Sequence, residues 1–419
     1  MSLSIYDPCA NVQRVTLPNG LTLYVEEREA PWVYVGFVVH VGAREDPVGR
    51  SGLAHLVEHV VSENVENYTS PELKQRLKSL GGNGMFGSIN YLCTSYRLFL
   101  PDHLPTLDEA LSLFGSMLLT AHLTRAIEEE KVIIGREFHL QYPHVQEYLW
   151  QLQASRALFV NHPSLTRYDT ALGSLEEMSQ CRQEELQAFY DQYYVPANLS
   201  VVSVGHVSLE QIVHALQHSP FGREKRGQRH PLPAPFSVLP PHEPELRVSM
   251  GQYSTLPLAQ AQCLFTWVLP VTVATVHLWI LRTLLETLLT NELRQQRQLT
   301  YDVEVCSVYY QDCQTLSIAL EVPAEAIDRT KELMWQVLSL QDAHERFEET
   351  KTDLLNQLLR PDYSGGGLLR AIMHDLETFH RLVSIEEERQ AVANTTFADL
   401  VQLASWLTAE RLFSFLIVP

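Results

Sequence analysis

The sequence predicts an α+β fold in which two homologous domains each combine a mostly antiparallel β-sheet with α-helices. Two observations support this prediction. Strand-like and helical stretches follow one another in the same order in both halves of the chain, and a proline-rich stretch separates the halves. The 419 residues suffice for two or three domains with sizeable cores. In each domain we expect the helices to pack on one face of the sheet.

The first half begins with an apolar strand at residues 34–41 and a helix at 53–62. β-rich sequence follows at 91–100 and leads into a run of helices. Ser174 is followed by acidic residues, a pattern typical of a capped helix start. A strand-like stretch at 198–204 closes this half.

The second half repeats this order with a strand at residues 263–268, a helix at 275–297 and β-rich sequence at 303–322. A serine-capped helix again precedes a closing strand, here at 412–418. The glycine triplet at 365–367 lacks the following Lys-Ser/Thr of a phosphate-binding loop, so we interpret it as a flexible turn.

The boundary between the halves lies between Ser219 and Pro244, where four basic residues are followed by six prolines. Prolines at this density favour an extended, semi-rigid connector. The predicted domains are therefore residues 1–222 and 245–419, and residues 223–244 form the linker.

Composition argues against several classes of protein. A net charge of −19 argues against a general nucleic-acid binder, and no apolar run approaches the length of a membrane span. The N-terminal residues lack the basic start and apolar stretch of a secretory signal. The six cysteines form no Cys-x-x-Cys pair, which indicates a reducing compartment. We expect a cytoplasmic protein without nucleic-acid or membrane partners.

The most informative stretch is His55-Leu56-Val57-Glu58-His59. Positions i and i+4 of an α-helix lie about 40° apart, so His55 and His59 can hold one metal ion while Glu58 reaches toward a water at that ion. Two imidazoles at this spacing suit zinc, and an open fourth position is typical of a catalytic site. The pattern His-x-x-Glu-His is the inverzincin signature.

Zinc needs a third protein ligand, and the best source is the acidic segment at residues 127–137. Glu130 and Glu137 are two helical turns apart and share a face. One could bind zinc while the other orients a ligand histidine. Taken alone, the segment also fits an acidic, solvated helix start.

These motifs resemble the pitrilysin-type inverzincin metallopeptidases, the family of insulin-degrading enzyme and the mitochondrial processing peptidase. Residues 17–21, 41–45 and 52–55 are similar to that family's N-terminal pattern. The resemblance covers nearly the whole chain and is to a short, two-domain, bacterial-type member. It implies that Glu137 is the third zinc ligand and that Glu130 accompanies it. It also implies a duplicated fold that forms half of a clam-shell.

The second half carries a further resemblance at residues 293–301. In the family an arginine and a tyrosine seven positions apart reach the zinc site from the C-terminal domain, which implies Arg294 and Tyr301 here. Their expected role is to donate hydrogen bonds to the oxyanion of the tetrahedral intermediate, or to hold substrate backbone. The alternative is a helix end with a surface arginine and a core tyrosine.

One departure from the family pattern follows the turn at residues 80–82. The family has an Asn-Ala pair there, which begins the edge strand that receives substrate by β-addition. This sequence runs one residue longer and places Phe86 where the asparagine would fall. The zinc chemistry is unaffected, but the change concerns substrate positioning and indicates an unusual or narrow substrate.

The resemblance implies a zinc-dependent endopeptidase that cleaves peptides or small unfolded polypeptides inside a clam-shell chamber, with Glu58 as general base. Since two domains form half of such a chamber, we expect a homodimer or a heterodimer with a homologous subunit. Two alternatives stay open. One is a maturation peptidase that trims the leader of one ribosomally made peptide, and the other is a non-catalytic scaffold subunit of a heterodimeric peptidase.

Overall fold

The computed structural model describes residues 8–81, 86–141, 154–155, 157–162, 171–223, 227–249, 260–359 and 364–419. The chain divides into two compact units. Unit 1 consists of Met1–Gln141, Arg167–Pro231 and Asp362–Ser384. Unit 2 consists of Tyr142–Thr166, Leu232–Pro361 and Ile385–Pro419.

The first half of the chain supplies six strands and eight α-helices among the described residues. The strands are β1 Gln13–Thr16, β2 Thr22–Glu27, β3 Trp32–Val39, β4 Phe86–Ile89, β5 Thr94–Pro101 and β6 Leu199–Gly205. The helices are α1 Leu53–Val61, α2 Ser70–Ser79, α3 Leu104–Leu119, α4 Ile127–Gln141, α5 Leu175–Ser179, α6 Gln183–Tyr193, α7 Leu209–His218 and α8 Pro220–Arg223.

The second half supplies five strands and six α-helices in the part that the structure describes. The strands are β7 Glu245–Ser249, β8 Ala261–Pro270, β9 Val303–Tyr309, β10 Cys313–Val322 and β11 Phe413–Val418. The helices are α9 Thr275–Leu289, α10 Ile327–Leu338, α11 His344–Gln357, α12 Gly365–Phe379, α13 Ile385–Asn394 and α14 Phe397–Ala404, and α9 continues into a π-helix at Thr290–Gln296.

Apart from the additional edge strand β1, the two sheets share one topology. The sheet of unit 1 has the strand order β1-β2-β6-β3-β5-β4, and the sheet of unit 2 has the order β7-β11-β8-β10-β9. In each sheet the closing strand (β6 or β11) pairs in parallel with one neighbour and antiparallel with the other, and the remaining described pairs are antiparallel. The predicted α+β fold with two mostly antiparallel sheets is therefore confirmed.

The sheet of unit 1 is buried on both faces. Side chains alternate along a strand, so Val201 of β6 joins the main core while Val202 and Val204 face the opposite side. That side is covered by α12, which packs on β3 and β6. The expectation of helices on only one face is wrong for this sheet, because its strands present apolar side chains to both sides.

The glycine triplet forms the first turn of α12, so its interpretation as a flexible turn is wrong. Ser364 caps this helix by accepting a hydrogen bond from the backbone N–H of Gly367. Gly365 lies directly against Trp32, since a Cβ at Gly365 would come within 2.0 Å of the indole ring. The absence of a side chain lets the helix start approach the sheet.

A segment from the first half of the chain packs on the sheet of unit 2, as α12 packs on the sheet of unit 1. Ala154, Ala157 and Leu158 contact apolar residues of β7 and β11. The units thus differ from the continuous domains predicted at 1–222 and 245–419, because each includes a segment from the other half. The units divide between Pro231 and Leu232, which lies within the predicted linker. The described residues 227–244 contain no helix or strand.

Strand β4 lies at an edge of its sheet and pairs only with β5 among the described strands. No other strand of the described residues pairs with its second side, and an open strand edge is the usual template for adding an extended chain. Of the region that departs from the family pattern, residues 82–85 lie outside the described residues, and β4 begins at Phe86.

Candidate metal centre

Helix α1 begins at a point of close approach between two loops. Gly52, its N-cap, has a φ of 98°, and Gly173 of the neighbouring loop has a φ of 84°. A Cβ on Gly173 would lie 2.2 Å from the Cα of Gly52, so only glycine permits this contact. The Asp46 carboxylate fixes the helix start by accepting two backbone N–H groups at 2.6 and 2.7 Å. The approach brings the Leu172 carbonyl over the helix.

Both histidines of α1 are oriented through Nδ1. The Nδ1–H of His55 donates to the Leu172 carbonyl at 3.2 Å, and the Nδ1–H of His59 donates to the Glu130 carboxylate at 2.9 Å. A carbonyl and a carboxylate can only accept, so each neutral ring carries its proton on Nδ1 and its lone pair on Nε2. The two Nε2 atoms lie 3.7 and 3.4 Å from the same oxygen of Glu137, Oε2.

These spacings fit zinc. Bonds of about 2.0–2.1 Å to a tetrahedral zinc ion place neighbouring donor atoms about 3.4 Å apart. The separations of Glu137 Oε2 from the two imidazole nitrogens are close to that value. His55, His59 and Glu137 could therefore hold one zinc ion with small adjustments. His55 is 2% exposed and the Glu137 side chain is 44% exposed, so the donors are reached from the Glu137 side.

The electrostatics favour positive charge at this point. Burial and then the nearby His59 lower the pKa of His55 to about 4. Burial also lowers the pKa of His59, but hydrogen bonds to Glu130 and Glu137 and the charge of Glu58 outweigh it and raise that pKa to about 10. The carboxylates that favour a proton on His59 equally favour a divalent cation in its place. The hydrogen bond from His59 and the charge of His55 lower the pKa of Glu137.

Glu58 projects from the same helix beside the histidines. Its Oε2 lies 3.6 Å from Nε2 of His59, and burial raises its pKa to about 7. Its other oxygen contacts the backbone of Gly87 on β4, where a Cβ would come within 1.8 Å of Oε1. The edge strand and the carboxylate are therefore adjacent, and Gly87 leaves the space that the carboxylate occupies.

The remaining two predicted residues lie in unit 2. Arg294 belongs to the π-helix Thr290–Gln296, and its guanidinium lies 4.9 Å from the ring centre of Tyr301. Tyr301 is 82% exposed, so the alternative of a core tyrosine is wrong. π-Helical turns occur frequently at functional sites, and an exposed Arg–Tyr pair beside one is available to a ligand.

The structure thus brings together the predicted residues of unit 1 around one point, with Glu130 behind His59 and Glu58 beside it. Sequence reasoning missed two contributors. Leu172 acts through its backbone carbonyl, which leaves no signal in the sequence. Gly87 stands inside a strand, and a glycine there can indicate a close backbone approach, so that signal was present.

Two family models match the chain. Residues 21–158 match the model described as Insulinase (Peptidase family M16), and residues 181–354 match the model described as Peptidase M16 inactive domain. Together the matches cover about three quarters of the chain. The second match agrees with the sequence of α9, which lacks a His-x-x-Glu-His pattern.

Several curated relatives are named as proteases. A zinc protease PqqE of Helicobacter pylori is 24% identical over 54% of this chain and 50% of its own length. An uncharacterized zinc protease of Mycobacterium leprae is 27% identical over 74% of this chain and 68% of its own. The mitochondrial-processing peptidase subunit beta of Blastocladiella emersonii is 26% identical over 51% of this chain and 45% of its own length. The chain spans about half the length of the first and third of these relatives.

Solved structures show the same fold. A protease from Helicobacter pylori has a TM-score of 0.78 at 17% identity and covers 99% of this chain and 100% of its own. The periplasmic protease PqqL from Escherichia coli has a TM-score of 0.77 at 15% identity, over 97% of this chain and 47% of that chain. Pitrilysin has a TM-score of 0.76 at 17% identity, over 100% of this chain and 46% of that chain.

Proposed function

We propose, because the chain belongs to the M16 family of insulinase-type peptidases, that it is a zinc-dependent endopeptidase. One observation carries the proposal: the Nε2 atoms of His55 and His59 converge on one oxygen of Glu137, while both Nδ1 atoms are engaged elsewhere. This donor set and its spacing suit zinc and leave a fourth position for the reaction.

The residues around the donors suit peptide hydrolysis. Bound zinc would polarise the substrate carbonyl and make the attacking water more acidic. Glu58 accepts the proton of that water and passes it to the leaving amine, for which a carboxylate beside the donors is well placed. Glu130 holds the His59 ring by its hydrogen bond. We further propose that Arg294 and Tyr301 stabilise the developing oxyanion.

The edge strand β4 favours an extended peptide as substrate. A peptide that pairs with the open side of β4 would run past Gly87, whose backbone contacts the Glu58 carboxylate. Pairing through backbone groups selects extended, unfolded segments over folded proteins, since only an extended chain can form the ladder.

Two substitutions test this proposal. Glu58→Gln should keep zinc and lose peptidase activity, whereas His59→Ala should lose both, measured as metal content per chain and cleavage of a mixed peptide pool. Glu128→Gln is the matched control, because its side chain is 79% exposed and forms its ion pair at the surface. An active Glu58→Gln variant would contradict the role of Glu58 as general base.

Two other functions are supported by particular observations. A non-catalytic scaffold subunit is favoured by the match of residues 181–354 to a model described as an inactive domain. A purified chain that binds no zinc in metal analysis would support the scaffold. A dedicated leader peptidase is favoured by the unusual sequence before β4. Broad cleavage of a peptide library would argue against it.

The assembly and the compartment are further proposals. We propose a homodimer or a heterodimer with a homologous subunit, since the chain covers 46% of pitrilysin and 47% of PqqL. Chromatography with mass measurement tests it, and a monomeric active enzyme would refute it. We propose a cytoplasmic location, although PqqL of Escherichia coli is described as periplasmic, and cell fractionation decides between them. Every helix in the described part of the chain is too short or too polar to cross a bilayer.

A further inference from the structure

A second cluster of metal-binding residue types lies in unit 2. One donor atom each from His162, Asp312 and Cys313 lies within 4.8 Å of the other two. All three residues are buried, and the side chains of His162 and Asp312 are only 0% and 2% exposed. Nε2 of His162 lies 3.0 Å from Oδ2 of Asp312. Nothing in the proposed peptidase mechanism uses this cluster.

The cluster joins three distant parts of the chain. Asp312 and Cys313 stand at the turn between β9 and β10, and His162 belongs to the segment from the first half that packs in unit 2. The proline-rich linker contacts the cluster, because the backbone N–H of Phe236 donates to the Asp312 carbonyl at 2.9 Å. The Phe236 ring lies 4.5 Å from the ring of His162.

Aromatic side chains lie beside the cluster. Phe159 contacts both His162 and Tyr310, with ring centres 5.8 and 5.4 Å apart. An apolar shell that limits the access of water is a common feature of protein metal sites, and these rings provide one beside the three donors. A divalent cation can bind a carboxylate and a thiolate and also the lone pair of an imidazole.

The donor types select the cation. Imidazole and thiolate ligands suit zinc and other soft first-row metals, whereas magnesium and calcium prefer oxygen donors alone. Three protein donors of the N, O and S types also match the ligand chemistry of zinc sites. We therefore propose that His162, Asp312 and Cys313 form a second zinc site, whose role is to attach the segment around His162 and the linker to the β9–β10 turn.

This proposal is independent of the peptidase proposal, and an optical experiment separates them. The probe is Co²⁺ alone, added to the full chain after removal of metal with a chelator. A thiolate bound to Co²⁺ gives an intense near-ultraviolet charge-transfer band. The proposed catalytic donors include no sulfur, so the band reports only a cysteine ligand.

We expect the band in the unaltered chain and in His59→Ala, and its loss in Cys313→Ser and in His162→Ala. Cobalt content should fall by one ion per chain in Cys313→Ser. Cys263→Ser is the matched control and should keep the band, because Cys263 is equally buried in β8 and belongs to none of the metal-ligand clusters among the described residues.

The proposal can be tested even if the variants do not fold. If the Cys313→Ser variant is unstable, the folded, unaltered chain still gives the decisive result, since absence of the thiolate band there overturns the proposal. A band that persists in folded Cys313→Ser overturns it as well. Chelator should also lower the Tm of His59→Ala but leave that of the double variant His59→Ala/Cys313→Ser unchanged. An equal shift in both would refute a role for this site in stability.

Discussion

Replacing Gly87 with alanine should slow catalysis strongly without loss of the fold. The new Cβ would stand 1.8 Å from Oε1 of Glu58, whereas Cβ atoms essentially never approach another heavy atom below 3.0 Å. The carboxylate must therefore retreat by about 1.2 Å. It can do so at little cost in stability, because it is the end of a flexible side chain.

The catalytic consequence is larger than the structural one. A misplacement of about 1 Å in a reacting group can reduce the rate by about 10²-fold. We therefore expect kcat of Gly87→Ala to fall by about 10²-fold, with KM changed little because the backbone of β4 keeps its pairing with Tyr96. Zinc content and Tm should stay at the values of the unaltered chain.

The assay is steady-state cleavage of a fluorogenic peptide, with zinc content and thermal melting measured on the same preparations. Gly135→Ala is the matched control. A Cβ at Gly135 meets nothing within 4 Å, so this change inside α4 should keep full activity and stabilise slightly, by about 0.4–1 kcal/mol. If Gly87→Ala cleaves as fast as Gly135→Ala, the position of the Glu58 carboxylate beside Gly87 does not matter for catalysis.

A double variant identifies the route of the effect. If Gly87 acts only through the carboxylate, Gly87→Ala combined with Glu58→Gln should be no slower than Glu58→Gln alone. Additive losses would mean that Gly87 acts on the substrate instead.

Three further predictions address other parts of the molecule. Glu130→Gln should weaken zinc binding by about 10–100-fold in competition with a chelating dye, because it removes the charged partner of His59 Nδ1, and unchanged affinity would contradict that role. Tyr301→Phe should lower kcat by about 10²-fold and leave zinc content and Tm unchanged, since the side chain is 82% exposed, and full activity would remove Tyr301 from the mechanism. His380 has a pKa lowered to about 4 by burial and by Arg229 and His230, below its ordinary value of 6.5, so its contribution to stability is present above pH 6.5 and is lost as the pH falls through 4. The backbone of His380 has a φ of 55°, which asparagine tolerates, so His380→Asn should show a smaller decrease of Tm between pH 6.5 and 4 than the unaltered chain, and parallel Tm curves would refute this assignment.

The sequence is most informative where a feature depends on local periodicity. The spacing of His55, Glu58 and His59 defines one face of a helix, and the seven-residue spacing of Glu130 and Glu137 defines another. The repeated order of elements also indicates that the two sheets share a topology, because equivalent elements bury equivalent faces, but it does not give the strand order itself.

The sequence is least informative where the chain approaches itself through the backbone. The Leu172 carbonyl orients His55 whatever side chain position 172 carries. His162 and Asp312 are 150 positions apart, so no local pattern relates them. Helix α12 packs on the second apolar face of the sheet, against β3 and β6. A continuous hydrophobic run in a strand indicates that both faces of the sheet are buried, but it does not show which helix covers the second face.

The placement of α12 has a consequence for biosynthesis. The outer face of the first sheet stays exposed on the nascent chain until residue 379 has left the ribosome, although the rest of that unit is translated much earlier. Splitting the gene at the proline-rich stretch would deliver two polypeptides, each without the cover of one sheet and prone to aggregate. Complementation would then require both fragments to be made together, in the same cell and at the same time.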